Sequence, residues 1–176
     1  MKIELTVTGA FCNTWPDLTI QQNDNVVFCN AIKNTTIISL TLDYAPFSVG
    51  MQNKNFGNNN VWDTLVDQDN NILADKLITV NEFLLDDVSI LSLLPSIEYI
   101  DALSSASKFI TDCTIRYNGF WKFNISSNAY DYIIDIKNSM NHNIKKEVNY
   151  QSDVSNIGNY DDHYAIMQKI KSALNI

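Results

Sequence analysis

Arginine is almost missing from this chain. Arg116 is the single one among 12 basic residues, against 20 acidic residues, and the formal net charge is −8. Nucleic-acid backbones are gripped by clustered Lys and Arg. The basic clusters here are Lys145–Lys146 and Lys169–Lys171, so no nucleic-acid partner is expected. Cysteine is scarce as well. Cys12, Cys29 and Cys113 are odd in number and far apart, which fits neither a disulfide framework nor the closely paired ligands of a zinc site. They read as small buried apolar side chains. The five glycines are scattered singly, so no phosphate-cradling loop is present. The two histidines, His142 and His163, lie in polar C-terminal stretches outside any triad pattern. Asp86-Asp87 and Asp161-Asp162 are adjacent pairs. Neighbours on a strand point to opposite faces and do not cooperate in acid–base work, and aspartates before a helix read as caps. No enzyme activity is expected. No apolar run approaches the roughly 20 residues of a membrane span, because the stretch Val88 to Leu94 stops at Pro95. The opening MKIELTVTGA has no apolar core of a signal peptide, so neither a membrane span nor a signal peptide is expected.

Short β-type segments are plentiful. Lys2 to Thr8 alternates strictly, with Ile3, Leu5 and Val7 on one face, as a half-buried strand does. Leu18-Thr19-Ile20 and Val26-Val27-Phe28 flank Asn23-Asp24-Asn25, a hairpin pattern, since Asn and Asp tolerate the positive φ of tight turns. Thr35 to Tyr44 is a β-branched run, and Ala45 to Asn60 is a long loop, of the kind that carries function. Leu77 to Val80 begins a strand that Phe83 to Leu85 continues, and Val88 to Leu93 is a short return after Asp86-Asp87. Asn118-Gly119 between two apolar stretches predicts a hairpin. Residues 129–137 fit either a helix capped by Asn128 or a strand, since Tyr132, Ile134 and Ile136 alternate. From Asp162 to Asn175, Ile166, Met167, Ile170 and Leu174 share one helical face. The expected fold is mainly β: an antiparallel β-sandwich, jelly-roll-like, over residues 1–137, with a polar segment and a C-terminal amphipathic α-helix over 138–176.

Two constellations could meet a ligand. The first is Asp67-Gln68-Asp69-Asn70-Asn71, whose alternating oxygens suit calcium. Ile72 and Leu77 replace the glycine and distal glutamate of an EF-hand, so that form is excluded. A looser site using Asp63, Asp67, Asp69 or Asp75 stays open beside a plain hairpin turn between Val66 and Ile72. The second is aromatic. Trp15, Phe47, Phe56, Trp62 and Trp121 are candidates for stacking on sugar or for a subunit interface. In Phe120-Trp121, one ring is expected inward and one outward. Ile166, Met167, Ile170 and Leu174 are the candidate docking face of the terminal helix.

Trp62-Asp63-Thr64-Leu65-Val66-Asp67-Gln68-Asp69-Asn70-Asn71-Ile72-Leu73-Ala74-Asp75-Lys76, followed by Ile78 to Asp86, resembles a pattern in small structural proteins of tailed phages, especially marine cyanophages. Tyr117 to Phe123 and Tyr130 to Ile133 resemble the later hairpin and following segment of such proteins. The same first module is similar, more distantly, to calcium-dependent xylan-binding β-sandwich modules. The first resemblance implies a non-enzymatic virion component of capsid, neck, tail or baseplate, present in many copies and working through contacts with other virion proteins. The second implies an adhesion module for a host glycan, with calcium as the only cofactor and Asp63, Asp67 and Asp75 as the positions to carry it.

Overall fold

The computed structural model describes residues 1–57, 62–108, 110, 112–126 and 128–139. The first compact unit spans Met1–Lys137. It contains two antiparallel sheets. In one, β1 (Lys2–Ala10) lies between β4 (Asn34–Thr41) and β8 (Leu77–Leu85), and β8 also pairs β9 (Val88–Ser89) and β12 (Thr114–Ile115). The other runs in the order β11 (Ser107–Lys108), β10 (Tyr99–Asp101), β13 (Gly119–Phe123), β5 (Phe47–Met51), β2 (Asp17–Gln22), β3 (Asn25–Ala31). A separate two-stranded arm consists of β6 (Thr64–Val66) and β7 (Ile72–Asp75). The fold is the expected antiparallel β-sandwich.

Apolar alternation explains which faces meet. Ile3, Leu5 and Val7 of β1 are fully buried, as are Leu18 and Ile20 of β2 and Val49 and Met51 of β5. The two inner faces are stitched by aromatic contacts. Phe83 meets Phe47 at 6.5 Å and Phe123 at 5.2 Å, both edge-on, while Phe47 and Phe123 stack at 4.6 Å. Phe83 reaches the core only because the register of β1 against β8 shifts between Thr6 and Val7. Strict alternation after Ile78 and Val80 would turn Glu82 inward. The bulge leaves Asn81 and Glu82 exposed and returns Phe83 and Leu85 to the interior, which is what one extra residue does to a period of two.

Turn chemistry follows the Asn and Asp positions. Asn23 and Asp24 have φ of 50° and 62°, closing the β2–β3 hairpin, and Asp86 and Asp87 close β8–β9 with φ of 45° and 65°. Asn118-Gly119 differs from its expectation. Thr114–Ile115 before it pairs with β8 in the first sheet, whereas Gly119–Phe123 after it pairs with β10 and β5 in the second. The dipeptide is therefore a crossover between sheets, not a hairpin. Gly119 (φ +153°) is required there, because an added Cβ would lie 2.3 Å from the Ile100 carbonyl oxygen.

Residues 129–139 are helical, so the helix alternative holds for this stretch. Asn128 caps it: its Oδ1 accepts from the Asp131 N–H at 2.9 Å, as capping side chains do. The amphipathic segment from Asp162 to Asn175, with Ile166, Met167, Ile170 and Leu174, lies outside the described residues.

Trp121 and Phe47 are corrections to the candidate ligand surface. Trp121 is fully buried, edge-on to Tyr99 at 5.7 Å, and Phe47 is 4% exposed in the inter-sheet aromatic cluster. Both sit on inward positions of their strands, and the outward partner of the Phe120-Trp121 pair is the half-buried Phe120. Replacing Trp121→Ala should destabilise the domain by about 3–5 kcal/mol, the usual cost of emptying a large core site. Urea unfolding checks this, and a loss below about 1 kcal/mol would place the ring at the surface.

Candidate functional site: an aromatic loop end on a lysine–aspartate scaffold

Three segments converge where β1, β5 and β7 end and β2, β6 and β8 begin: residues 11–16, the stretch 52–57 with 62–63, and the β7–β8 junction. Their backbones are tied by polar side chains. Asn53 accepts from the Asp17 N–H and donates to the Trp15 carbonyl, each at 3.0 Å. Asn118 accepts from the Lys54 N–H at 2.9 Å and donates to the Lys54 carbonyl at 2.8 Å. The inter-sheet crossover thus clamps the 52–57 stretch as a paired strand would. Asn13 (φ 60°) donates to the Trp62 carbonyl at 2.6 Å.

Two buried ion pairs lie beneath these loops. Lys76 Nζ sits 2.6 Å from Asp63 Oδ2, with both side chains 1% exposed, and also donates to the Asn53 carbonyl at 2.8 Å. Lys54 Nζ pairs with Asp75, with side chains 3% and 11% exposed, and Thr64 Oγ1 donates to the same Asp75 oxygen at 2.6 Å. Asp63 also accepts the Asn55 N–H at 2.8 Å, and its own N–H donates back to the Asn55 carbonyl at 3.1 Å. Burial pushes the Asp63 carboxyl up, but Lys76, the Asn55 N–H and Asn13 outweigh it and hold the group below its ordinary 3.8. All four charges act on the Cys12 thiol, which burial raises first and the two aspartates raise further, against the two lysines.

Above the scaffold the rings face solvent. Trp62 is 57% exposed and Phe11 53%. Phe11 leans edge-on against half-buried Trp15 at 5.2 Å, and Phe56 lies 5.7 Å from the Lys54 ammonium and bridges Trp62 in antiparallel fashion. Gly57 (φ +88°) backs the indole so closely that an added Cβ would lie 2.5 Å from its Cζ2. Trp62 is thus held at its carbonyl, at the next residue and at one ring edge.

No family model and no curated protein matches the sequence. Among solved structures, a carbohydrate-binding module, vCBM60 in complex with galactobiose, is similar at a TM-score of 0.47 and 10% identity, covering 70% of this chain and 98% of that one. A selenomethionine form of vCBM60, described within a circular-permutation link between two families of calcium-dependent carbohydrate-binding modules, is similar at a TM-score of 0.49 and 11% identity, covering 72% and 92%. The likeness is one of fold. Neither comparison supports the tailed-phage resemblance.

The site residues named from sequence fall into distinct places. Trp15, Phe56 and Trp62 come together at the loop end, whereas Phe47 and Trp121 are core. The four aspartates do not form one metal cage, and among the described residues no three His, Cys, Asp or Glu side chains are arranged to hold an ion. Asp63 and Asp75 already face lysines. Asp67 is the keystone of the β6–β7 turn: its carboxylate accepts the N–H groups of Asp69 and Asn71, at 2.9 and 2.8 Å, and the Asn71 side chain at 2.9 Å. Asp69 is exposed in that turn. Phe11, Asn13, Lys54 and Lys76 were missed. For Lys76 a signal existed: 76, 78 and 80 share the inward parity of β8, so a lysine there needs a buried acid.

The Asp63 pair has an acid signature. A carboxyl depressed in the folded state adds stability that is full above its unfolded value and lost as the pH falls through the folded one. The melting temperature should therefore drop below about pH 4. The Asp63→Asn variant should start lower at neutral pH and lose less over the same acid range. Equal acid slopes in thermal melts would show that Asp63 is not paired.

Proposed function

We propose that this loop end is a non-catalytic carbohydrate-binding surface. The observation that carries the reading is Trp62, an indole more than half exposed yet fixed through Asn13, Asp63 and Gly57. A large apolar ring held in water is costly unless something covers it, and a pre-ordered ring loses little freedom on binding. Sugar rings present C–H faces to an indole and hydroxyls to amides, and Asn13, Asn53 and Asn55 surround this ring's anchor points. Phe11 supplies a second exposed ring on the adjoining loop. A virion role draws no support from the fold or the comparisons.

A second reading, contact with another protein, is favoured by the β6–β7 arm. Leu65, Val66, Ile72 and Leu73 are 46%, 50%, 65% and 69% exposed, and among the described residues neither outer edge of this two-stranded sheet pairs with a further strand. Apolar side chains beside free strand edges suit a protein partner better than a sugar.

One experiment separates the two. On immobilised polysaccharides, Trp62→Ala should abolish retention of the chain with a melting temperature close to wild type, because the ring is exposed. Leu65→Ser with Leu73→Ser should leave retention intact. Retention that survives Trp62→Ala overturns the carbohydrate reading of this surface, and retention lost only with the arm variant moves the contact to β6–β7.

A further inference from the structure

The acidic residues of the loop end were expected to hold calcium if anything, and the side chains there do not fit that ion. Calcium is satisfied by six to eight oxygens with free lone pairs. Asp63 Oδ2 already receives the Lys76 ammonium and the Asn55 N–H, and Asn13 Nδ2 donates weakly to Oδ1 at 3.4 Å. Asp75 Oδ1 receives the Lys54 ammonium and the Thr64 hydroxyl. These oxygens are approached by hydrogen-bond donors, and two of the donors are cations. A divalent ion would reach either carboxylate only by evicting a buried ammonium, whose positive charge repels it.

We infer that Lys54 and Lys76 are the resident cations of this domain: their ammonium groups neutralise Asp63 and Asp75 in place of a metal, and the Lys76–Asp63 pair is the positioning element for Trp62. The geometry gives the route. Lys76 Nζ joins Asp63 to the Asn53 carbonyl, so one ammonium ties the 52–57 stretch to the residue after Trp62. The Lys76 N–H donates to the Asp63 carbonyl at 2.8 Å, fixing the same residue from its other side. Lys54 repeats the device one layer along. Its backbone is clamped by Asn118 and its ammonium lies near the Phe56 ring. Each ammonium is delivered by its own chain, so the cation is covalently part of the fold. The surface is then assembled at any metal concentration. It depends instead on the lysines staying charged and paired.

The binding part of this inference rests on the carbohydrate reading, and the stability and fluorescence parts do not. The experiment uses the full chain. Thermal melts are run in millimolar calcium chloride and in EDTA, with acrylamide quenching of the solvent-exposed tryptophan emission, assigned by Trp62→Phe, and retention on immobilised polysaccharides. Wild type should melt at the same temperature in both solutions. Lys76→Met leaves Asp63 buried and uncompensated, and should lower the melting temperature by roughly 10 °C and shift the Trp62 emission and its quenching. The double variant Asp63→Asn/Lys76→Met removes both charges and keeps an acceptor for the Asn55 N–H. It should recover most of the melting temperature but not the wild-type Trp62 emission or retention. That split distinguishes positioning from bulk stability. Calcium raising the wild-type melting temperature by several degrees, reversed by EDTA, overturns the inference. So does a Lys76→Met protein, or the double variant, with unchanged Trp62 emission. If wild type binds no polysaccharide while melts and emission behave as stated, the carbohydrate reading fails and the lysine assignment stands.

Discussion

A lysine buried in a protein must find an acid, and the loop end of this domain is organised around that requirement. An isolated ammonium or carboxylate loses its hydration on burial, at an effective cost of several kcal/mol per ion even after relaxation. Lys54 and Lys76 offset that loss with Asp75 and Asp63; Lys76 also donates to the Asn53 carbonyl, and the Asn55 N–H and Thr64 hydroxyl donate to the two carboxylates. Breaking one pair strands its partner, so each pair locks the backbone segments that carry its members. Because those members come from 52–57, 62–64 and 75–76, the pairs add side-chain ties to stretches whose backbones meet at the Thr64–Asp75 end of the β6–β7 ladder and at the Phe56–Trp62 bridge. The net stability gained over an apolar filling is small. What the pairs add is a single arrangement of the loops, and that arrangement determines where Trp62 stands.

The sandwich below is conventional in its physics. Alternating apolar residues bury two sheet faces, and Phe47, Phe83 and Phe123 interlock between them. The loop end differs because polar side chains do the work of a core there: Asn13, Asn53 and Asn118 bond backbone groups that would otherwise belong to a sheet. The outer surface of the same end is apolar, with Phe11 and Trp62 in solvent and the β6–β7 arm beside them. A polar interior under an aromatic exterior displays rings rather than burying them, which supports the proposed binding role.

Much of the β framework was legible in the chain. The period-two pattern of Ile3, Leu5 and Val7 marks β1, and Asn23-Asp24 and Asp67 to Asn71 mark turns, because positive φ and side-chain-to-backbone bonds leave a residue-type signature. Asn118-Gly119 misled, since the same backbone preference serves a crossover between sheets as well as a hairpin, and only the pairing of the flanking strands distinguishes them. Trp121 and Phe47 could not be told from surface rings by type alone: strand parity decides their side, and β5 and β13 are each five residues long. The aspartates at 63 and 75 look like metal ligands in a list of acids. Their partners are lysines distant in the chain: Lys76 for Asp63, and Lys54, 21 residues away, for Asp75. Lysine composition reads as solvated surface, so the ionic scaffold was hidden except for the inward parity of Lys76.

The central claim is that these buried pairs, rather than a metal or the sheets alone, hold the loop end together. A double-mutant cycle on Lys54 and Asp75, with Lys54→Met, Asp75→Asn and the double variant unfolded in urea, tests it most directly. The account predicts a coupling of at least about 2 kcal/mol, because each single change leaves one buried charge uncompensated. A coupling below about 0.5 kcal/mol, the range of exposed pairs, would contradict it.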